Sequence, residues 1–179
     1  MKSNVATVAF LLLCIIIFGI GMNACGGAAT RNRFEYTERS LDAKIYGKIV
    51  GNEVAVTLKS RPRAAEGECD LTVICESPAA FSGLAVSRST SGIYEARLGE
   101  LIVRDFKADG FLEPFLTLLY HGEISSVSRD SKGNTTILVN QGEIRLEYLF
   151  PKDQEYPQSI KGSIGKREIE LFVQSLDFI

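Results

Sequence analysis

The 179-residue chain is poor in the residue types that build most metal and catalytic centres. It has one His, no Trp and four Cys, so a site rich in His and Cys ligands is nearly excluded. Its 20 Lys and Arg against 22 Asp and Glu leave a net charge of −2, which gives no support for a nucleic-acid or polybasic membrane surface. Hydrophobic residues at 45% and charged residues at 23% are instead typical of a folded globular domain.

Catalytic motifs are missing as well. No G-x-S-x-G sequence occurs. The stretch from Gly162 to Lys166 lacks the first Gly of a phosphate-binding loop, is followed by Arg167 where that loop has Ser or Thr, and falls in a predicted hairpin. His121, at the end of a predicted helix, has no second His and no neighbouring Cys to complete a metal site. We therefore predict a protein that is not an enzyme and needs no metal or cofactor.

The N-terminus carries an apolar run from Val5 to Ala24 that follows Lys2 and ends in small residues just before Cys25. A charged start, an apolar middle and a small-residue exit are typical of a secretory signal, although such a run could also span a bilayer. Met-Asn-Ala-Cys at positions 22–25, followed by two Gly, resembles the signal of bacterial lipoproteins. This resemblance implies cleavage before Cys25 and attachment of diacylglycerol to its thiol.

Cleavage there divides the chain into a signal peptide over residues 1–24, a lipidated Cys25 with a tether over residues 25–33, and one domain over residues 34–179. Acyl chains, palmitate among them, would hold the domain on the outer face of the cell membrane, because each buried methylene contributes ~0.8 kcal/mol and two or more chains anchor stably. An uncut N-terminal anchor would leave the domain on the same face, and other processing is the third possibility.

Two further cysteines stand in the sequence CDLTVIC, from Cys69 to Cys75. Alternation places both on one strand face with Leu71 and Val73. Six residues of strand span ~20 Å, whereas a disulfide needs Cα atoms within ~7 Å. We therefore expect two small buried thiols that do not bond to each other, with a bulged strand or a pairing between chains as the alternative.

From residue 34 onward the apolar residues follow a period of two, which predicts antiparallel hairpins. Turns at Gly51-Asn52, Gln141-Gly142 and Gly165-Lys166 each give one apolar and one polar face. On the polar face of the third hairpin, Lys161 opposes Glu170. The predicted apolar pairs are Ile49 with Val54, Gly47 with Val56, Ile45 with Leu58, Val139 with Ile144, Ile137 with Leu146, Gly162 with Ile169, and Ile160 with Leu171.

Two segments break the strand pattern. Residues 78–82 (PAAFS) stop before Gly83, which indicates one helical turn. Residues 110–121 cluster Phe and Leu at helical spacing and stop at Gly122, with Pro114 acceptable only in the first turn. The remaining strand candidates are residues 68–76, 84–89, 92–98, 100–106 and 123–129.

The predicted sheet has more apolar face than the predicted helix can cover. About ten strands spaced ~4.8 Å apart make a sheet roughly 50 Å wide, whereas a helix over residues 110–121 is ~18 Å long and ~10 Å across. The sheet must then curl around the helix into a partial or closed barrel, fold into a two-layer sandwich, or leave an apolar cavity for a ligand.

The order of elements resembles the LolA/LolB lipoprotein-carrier fold, which mycobacterial glycolipid-binding lipoproteins share. The resemblance extends over residues 38–178 and is strongest to small LolA-like lipoproteins of Gram-positive bacteria. It implies a mainly β fold, in which a curved antiparallel sheet of ten or eleven strands forms an unclosed or half β-barrel over one or two short helices, with an apolar cavity for acyl chains. The segments that carry it are GKIVGNEVAVTL, CDLTVICESPAAFSGLAVSR, LGELIV and YPQSIKGSIGKREIELFV.

Two functions stay open at this point. One is binding of an amphiphile (a lipid, an acyl chain of a lipoprotein or a glycolipid) between the curved sheet and the helix. The other is a non-catalytic envelope scaffold or sensor with a self-filled core, whose partner is another envelope protein; no nucleic-acid partner is expected. The predicted ligand-binding residues, for each of which plain core packing is the alternative, are Ile45, Ile49, Val54, Val56, Leu71, Val73, Phe111, Phe115 and Leu119.

Overall fold

The computed structural model describes residues 32–107, 109–119 and 122–179, so the predicted signal peptide, Cys25 and His121 lie outside the described residues. Eleven strands dominate these ranges. They are β1 (Leu41–Ile49), β2 (Asn52–Ser60), β3 (Cys69–Ser77), β4 (Ala85–Ser89), β5 (Tyr94–Leu98), β6 (Leu101–Arg104), β7 (Ile124–Arg129), β8 (Thr135–Gln141), β9 (Ile144–Phe150), β10 (Ser159–Ile164) and β11 (Arg167–Phe178).

All strand pairs are antiparallel, and the strands form one sheet in the order β6-β5-β4-β3-β2-β1-β11-β10-β9-β8-β7. The sheet is not closed, so β6 and β7 are its two edges. Within the described ranges its apolar face packs against one helix, α1 (Asp109–Leu116), and the 3-10 segments Asn32–Glu38 and Thr117–Leu119. The mainly β, unclosed architecture predicted from the sequence is confirmed.

The predicted local elements are confirmed to within two residues. Each of the five further strand candidates is a strand, and the helical turn expected at residues 78–82 is a 3-10 segment, Ala79–Phe81. Cys69 and Cys75 stand on one strand, β3, and neither forms a disulfide. Only Cys75 is buried; Cys69 is exposed, against expectation, because it begins the strand at the margin of the core.

The register of the third hairpin is confirmed, with Gly162 opposite Ile169 and an ion pair of 2.6 Å between Lys161 and Glu170. The other two predicted registers are wrong by two residues. The first hairpin turns at Val50-Gly51, where both residues have positive φ (50° and 78°), as a type I′ turn requires.

The second hairpin turns at Gly142-Glu143, one residue later than predicted, with φ of 58° at Gly142. A shift of two residues in pairing leaves every side chain on its predicted face, because the strand period is two. The observed apolar-face pairs are Ile45 with Val56, Gly47 with Val54, Ala43 with Leu58, Val139 with Leu146, and Ile137 with Tyr148.

Two glycines let neighbouring strands approach more closely than a side chain allows. Gly47 in β1 has a φ of 155°, and a Cβ there would lie 2.0 Å from the carbonyl oxygen of Glu170. Gly162 in β10 has a φ of 143°, and its Cβ would lie 2.0 Å from the carbonyl oxygen of Arg145. Any other residue would force the backbone apart at both places.

Over β8 and β9 the apolar face of the sheet is covered by aromatic side chains from a segment outside the sheet. We define the packed side as β8 and β9 with the segments Asn32–Glu38 and Thr117–Leu119. The Phe34 ring packs edge-on against Tyr148 and Phe150, at centroid distances of 5.3 and 5.5 Å. The Tyr36 hydroxyl donates to the carbonyl of Leu118, and burial raises its pKa well above the ordinary value, with a further rise from nearby Tyr148.

Pro114 lies inside α1 rather than in its first turn, which corrects the sequence-based expectation. Proline has no N–H to donate to the carbonyl four residues earlier, so the helix leaves the carbonyl of Gly110 without its usual partner. That carbonyl instead accepts a hydrogen bond of 2.6 Å from the Arg167 guanidinium. The arginine stands at the start of β11, so a long-range contact compensates the missing helical bond.

Candidate binding pocket

A pocket of about 670 Å³ lies between α1 and the apolar face of the sheet. It opens where β1, β2 and β3 meet the 3-10 segment Ala79–Phe81, and we define this region as the pocket side. Its lining residues are Ile49, Asn52, Glu53, Val54, Val56, Cys75, Ser77, Pro78, Ala79, Phe81, Gly110, Phe111, Pro114, Phe115 and Arg167.

Most of the residues that line the pocket are apolar, and they differ in burial. Val56 and Cys75 are buried at the floor. Phe111 and Phe115 stand one helical turn apart on α1, with ring centroids 6.0 Å apart in an edge-to-face arrangement. Phe81 is 51% exposed and lies at the rim.

Arg167 is the charged residue at one margin of the pocket. Besides its bond to the Gly110 carbonyl, Arg167 forms an ion pair and hydrogen bond with the Glu113 carboxylate. The two side chains are 35% and 40% exposed, so water screens the ion pair and its contribution to stability is small. The two contacts of Arg167 link α1 to the hairpin of β10 and β11 and so fix the position of one margin of the pocket. We call these two contacts the Arg167 clasp.

The Cys75 thiol is the one titratable lining group, among those the structure describes, whose pKa is displaced. Burial raises it, so the thiol is protonated and unreactive at neutral pH. Two carboxyl groups with displaced pKa values lie outside the pocket. A hydrogen bond from Arg104 lowers the pKa of Glu95, and one from Lys161 lowers the pKa of Glu170. Across residues 32–107, 109–119 and 122–179 no three His, Cys, Asp or Glu side chains are grouped to hold a metal ion.

Five of the nine predicted ligand-binding residues line this pocket together. They are Ile49, Val54, Val56, Phe111 and Phe115. Ile45, Leu71 and Val73 occupy the same sheet face but are buried in the core away from it. Leu119 lies in the 3-10 segment after α1, partly buried against the core and not in the pocket.

Sequence reasoning missed several lining residues. Cys75 follows Leu71 and Val73 in the same alternation, so the strand pattern already placed it on the correct face. Phe81 was part of the predicted turn, and its apolar character was the available signal. Arg167 had no local signal, because it is 57 residues from Gly110 in sequence and only the assembled sheet brings them together.

No helix in the described part of the chain has the length and apolar character needed to cross a bilayer.

No protein-family model and no curated protein matches this sequence. Solved structures do. An uncharacterized conserved protein from Thermus thermophilus is similar with a TM-score of 0.55 and 13% identity, over 84% of this chain and 88% of the other. MucB is similar with a TM-score of 0.51 and 14% identity over 84% of this chain, which spans 59% of the MucB chain. A LolA superfamily protein from Nitrosomonas europaea matches with a TM-score of 0.42 and 9% identity, over 83% and 93% of the two chains.

At these identities the likeness shows the fold alone. The LolA-like fold predicted from the sequence is confirmed: an unclosed antiparallel sheet with one short α-helix over its apolar face in the described residues.

Proposed function

We propose that this protein binds one amphiphile, with the apolar chain of the ligand held between α1 and the sheet. The observation that carries the proposal is the pocket of about 670 Å³, which falls within the range of roughly 300–1,000 Å³ typical of small-molecule sites. Its walls of Val56, Phe111 and Phe115 suit a hydrocarbon chain, since each buried methylene contributes about 0.8 kcal/mol. Binding of this kind needs no catalytic group.

The polar margin supports an amphiphile rather than a purely apolar ligand. Arg167, Asn52 and Glu53 all line the pocket, and the Arg167 side chain is 35% exposed. A ligand with its chain against Phe115 can therefore keep a polar headgroup at this margin or in solvent. Fatty acids, glycolipids and the acyl chains of lipoproteins share this chemistry.

The packed side limits the size of the ligand. Phe34, Tyr148 and Phe150 occupy the space over β8 and β9, so the cavity does not extend along the whole sheet. This favours a ligand that inserts one chain. The same filling favours a second candidate function, an envelope scaffold or sensor that recognises a protein partner and leaves the pocket without a ligand.

We further propose that the protein acts outside the cytoplasm, on the outer face of the cell membrane. The order of Lys2, the apolar run and Cys25 supports removal of residues 1–24 and lipidation of Cys25. Residues 25–33 would then be a short tether that keeps the pocket close to the bilayer, where amphiphiles are abundant. The resemblance to lipoproteins of Gram-positive bacteria supports a Gram-positive source.

Binding is tested with a single indole placed at the rim. Because the chain has no Trp, Phe81→Trp in a chain beginning at Gly26 gives one site-specific reporter. Titration with dodecanoate, tetradecanoate and hexadecanoate should shift its emission to the blue. Each added pair of methylenes can strengthen binding by up to ~1.6 kcal/mol, about 15-fold.

The matched control is Tyr46→Trp. Tyr46 lies on the opposite face, exposed and stacked on Phe172 at 5.4 Å, so its emission should not respond. No response of the Phe81→Trp protein to any of the three fatty acids would reject amphiphile binding and leave the scaffold function. An equal response of both proteins would indicate non-specific adsorption.

A further inference from the structure

The edge strand β6 carries three apolar side chains in a row on an unpaired sheet margin. Leu101, Ile102 and Val103 are 64%, 43% and 46% exposed. In the described residues β6 pairs with β5 on one side and with nothing on the other. Such an edge is a template for pairing with another strand, and no Pro, Lys or bulge interrupts β6 itself.

The backbone of β6 points its free hydrogen-bonding groups outward at Ile102. The Asp105 N–H donates to the carbonyl of Tyr94, at 2.9 Å. In an antiparallel ladder hydrogen-bonded pairs alternate with non-hydrogen-bonded pairs, so Val103 and Leu101 also bond to β5. Ile102 and Arg104 therefore direct their N–H and C=O groups away from the sheet.

The sequence Glu100-Leu-Ile-Val-Arg104 is complementary to itself when two copies run antiparallel about Ile102. Leu101 then stands opposite Val103 of the partner subunit, and Glu100, the last residue of the turn before β6, comes next to Arg104 of the partner subunit. The apolar pairs fall at non-hydrogen-bonded positions, where side chains approach most closely. Arg104 already binds Glu95 in its own chain at 2.8 Å, and the partner subunit's Glu100 would approach it from the other side.

Other registers of the two β6 strands are disfavoured, because they bring like charges together or place side chains of different character opposite each other. A shift of one residue turns the apolar face of one copy toward the polar face of the other. A shift of two places Arg104 or Glu100 opposite an isoleucine, and a shift of four brings Arg104 against Arg104 or Glu100 against Glu100. Like charges directly opposite each other are destabilising, so one register satisfies both the apolar and the charged side chains.

We propose that two copies of this chain pair edge to edge through β6, in the register centred on Ile102. The pairing is two-fold symmetric and closes on itself, and it joins the two eleven-stranded sheets into one continuous sheet. It covers the exposed Leu101, Ile102 and Val103 of both copies. A strand of four residues buries less area than a stable free dimer needs, so the pair is weak and a covalent trap is the suitable measurement.

The test is disulfide trapping of the full chain in the membranes of expressing cells, with the exposed Cys69 replaced by Ser. The double variant Leu101→Cys/Val103→Cys places thiols opposite each other in the proposed register, and mild oxidation should convert most of it to a covalent dimer. Each single variant should stay near the level of the Cys69→Ser parent, because neither residue faces itself across the two-fold axis. That parent also reports any cross-linking through Cys14, Cys25 or Cys75.

The charged pair gives an independent readout. In the double-cysteine protein, Glu100→Arg should reduce the dimer several-fold, whereas Glu66→Arg, in an exposed loop, should leave it unchanged. Dimer from Leu101→Cys alone, a trapped product with a different protein, or no product above the parent would each overturn the proposal. If the double variant does not fold, an amine-reactive reagent that joins lysines of neighbouring copies in membranes gives a second readout. Glu100→Arg should then yield several-fold less cross-linked dimer than Glu66→Arg, and equal yields would overturn the proposal.

Discussion

The packed side and the pocket side of this sheet differ in how their apolar face is covered. On the packed side, the Phe34 ring packs against Tyr148 and Phe150 and also stacks with Tyr36. On the pocket side strands β2 and β3 contribute smaller side chains, Val54, Val56 and Cys75, and the rings of Phe111 and Phe115 come from α1 across the space. Side-chain volume therefore decides which part of one continuous apolar face is core and which part is cavity, because close packing leaves a void wherever volume is missing.

The two sides are also held together differently. On the packed side buried hydroxyls bond to backbone carbonyls, as in the bond of 3.0 Å from Tyr148 to Thr117. On the pocket side the helix is clasped by Arg167 at a partly exposed margin. We infer that the packed side supplies most of the stability and that the pocket side can open locally to admit a ligand.

The largest expected effect is on the packed side. Phe150→Ala removes a fully buried ring and should lower the free energy of unfolding by about 3–5 kcal/mol, measured by urea denaturation. Its counterpart on the pocket side, Phe81→Ala, should change it by less than about 1 kcal/mol because that ring is exposed. Equal losses in the two variants would contradict the comparison.

A smaller loss is expected at the glycines that bring strands together. Gly47→Ala should destabilise the fold by about 1–3 kcal/mol through backbone strain, because its Cβ would meet the Glu170 carbonyl. Gly110→Ala in α1 meets no atom within 4 Å and should be neutral or stabilising, since Ala favours a helix. Thermal denaturation of both variants measures the difference. An unchanged melting temperature in Gly47→Ala would contradict the close approach of β1 and β11 at this position.

Filling the pocket should weaken fatty-acid binding without lowering the stability of the fold. Ala79 is exposed and lines the pocket, so Ala79→Phe should weaken fatty-acid affinity at least tenfold, about 1.4 kcal/mol. Ala80, its exposed neighbour, is not a lining residue, and Ala80→Phe should bind normally. Isothermal titration of both proteins checks the difference, and equal affinity would indicate that the ligand does not enter this pocket.

The smallest effect is expected from loss of the clasp. Arg167→Met should lower the free energy of unfolding by no more than about 1 kcal/mol, because the ion pair is partly exposed. It should nevertheless release bound fatty acid several-fold faster, since α1 is no longer held at its Gly110 carbonyl. Lys161→Met removes a comparable surface ion pair outside the pocket and should not change the release rate. Stopped-flow displacement measures both, and an unchanged rate in Arg167→Met would reject the clasp.

Strand faces were predictable from the sequence because they depend only on a period of two. Turn positions were less so. The third hairpin was placed correctly because Gly165, with φ of 58°, takes the first turn position. In the first hairpin the non-glycine Val50 adopts a positive φ of 50°, which no propensity rule favours, and the predicted register was wrong by two residues.

The pocket was predictable in part for the same reason. Alternation identified the face that Val54 and Val56 share, and helical spacing identified Phe111 and Phe115. Which stretch of that face stays open depends on the aromatic residues that cover the remainder, such as Phe34, and these come from distant segments. The clasp by Arg167 depends on a carbonyl released by Pro114, which becomes visible only once the helix boundaries are known.

A crystal structure of the chain from Gly26 onward, grown with hexadecanoate, tests the central claim most directly. The account predicts elongated density between Phe111, Phe115 and Val56, with the carboxylate at the margin formed by Arg167, and an unchanged packed side. A pocket closed by α1 collapsing onto β2 and β3, with fatty acid absent from the space, would contradict amphiphile binding and turn attention to protein partners.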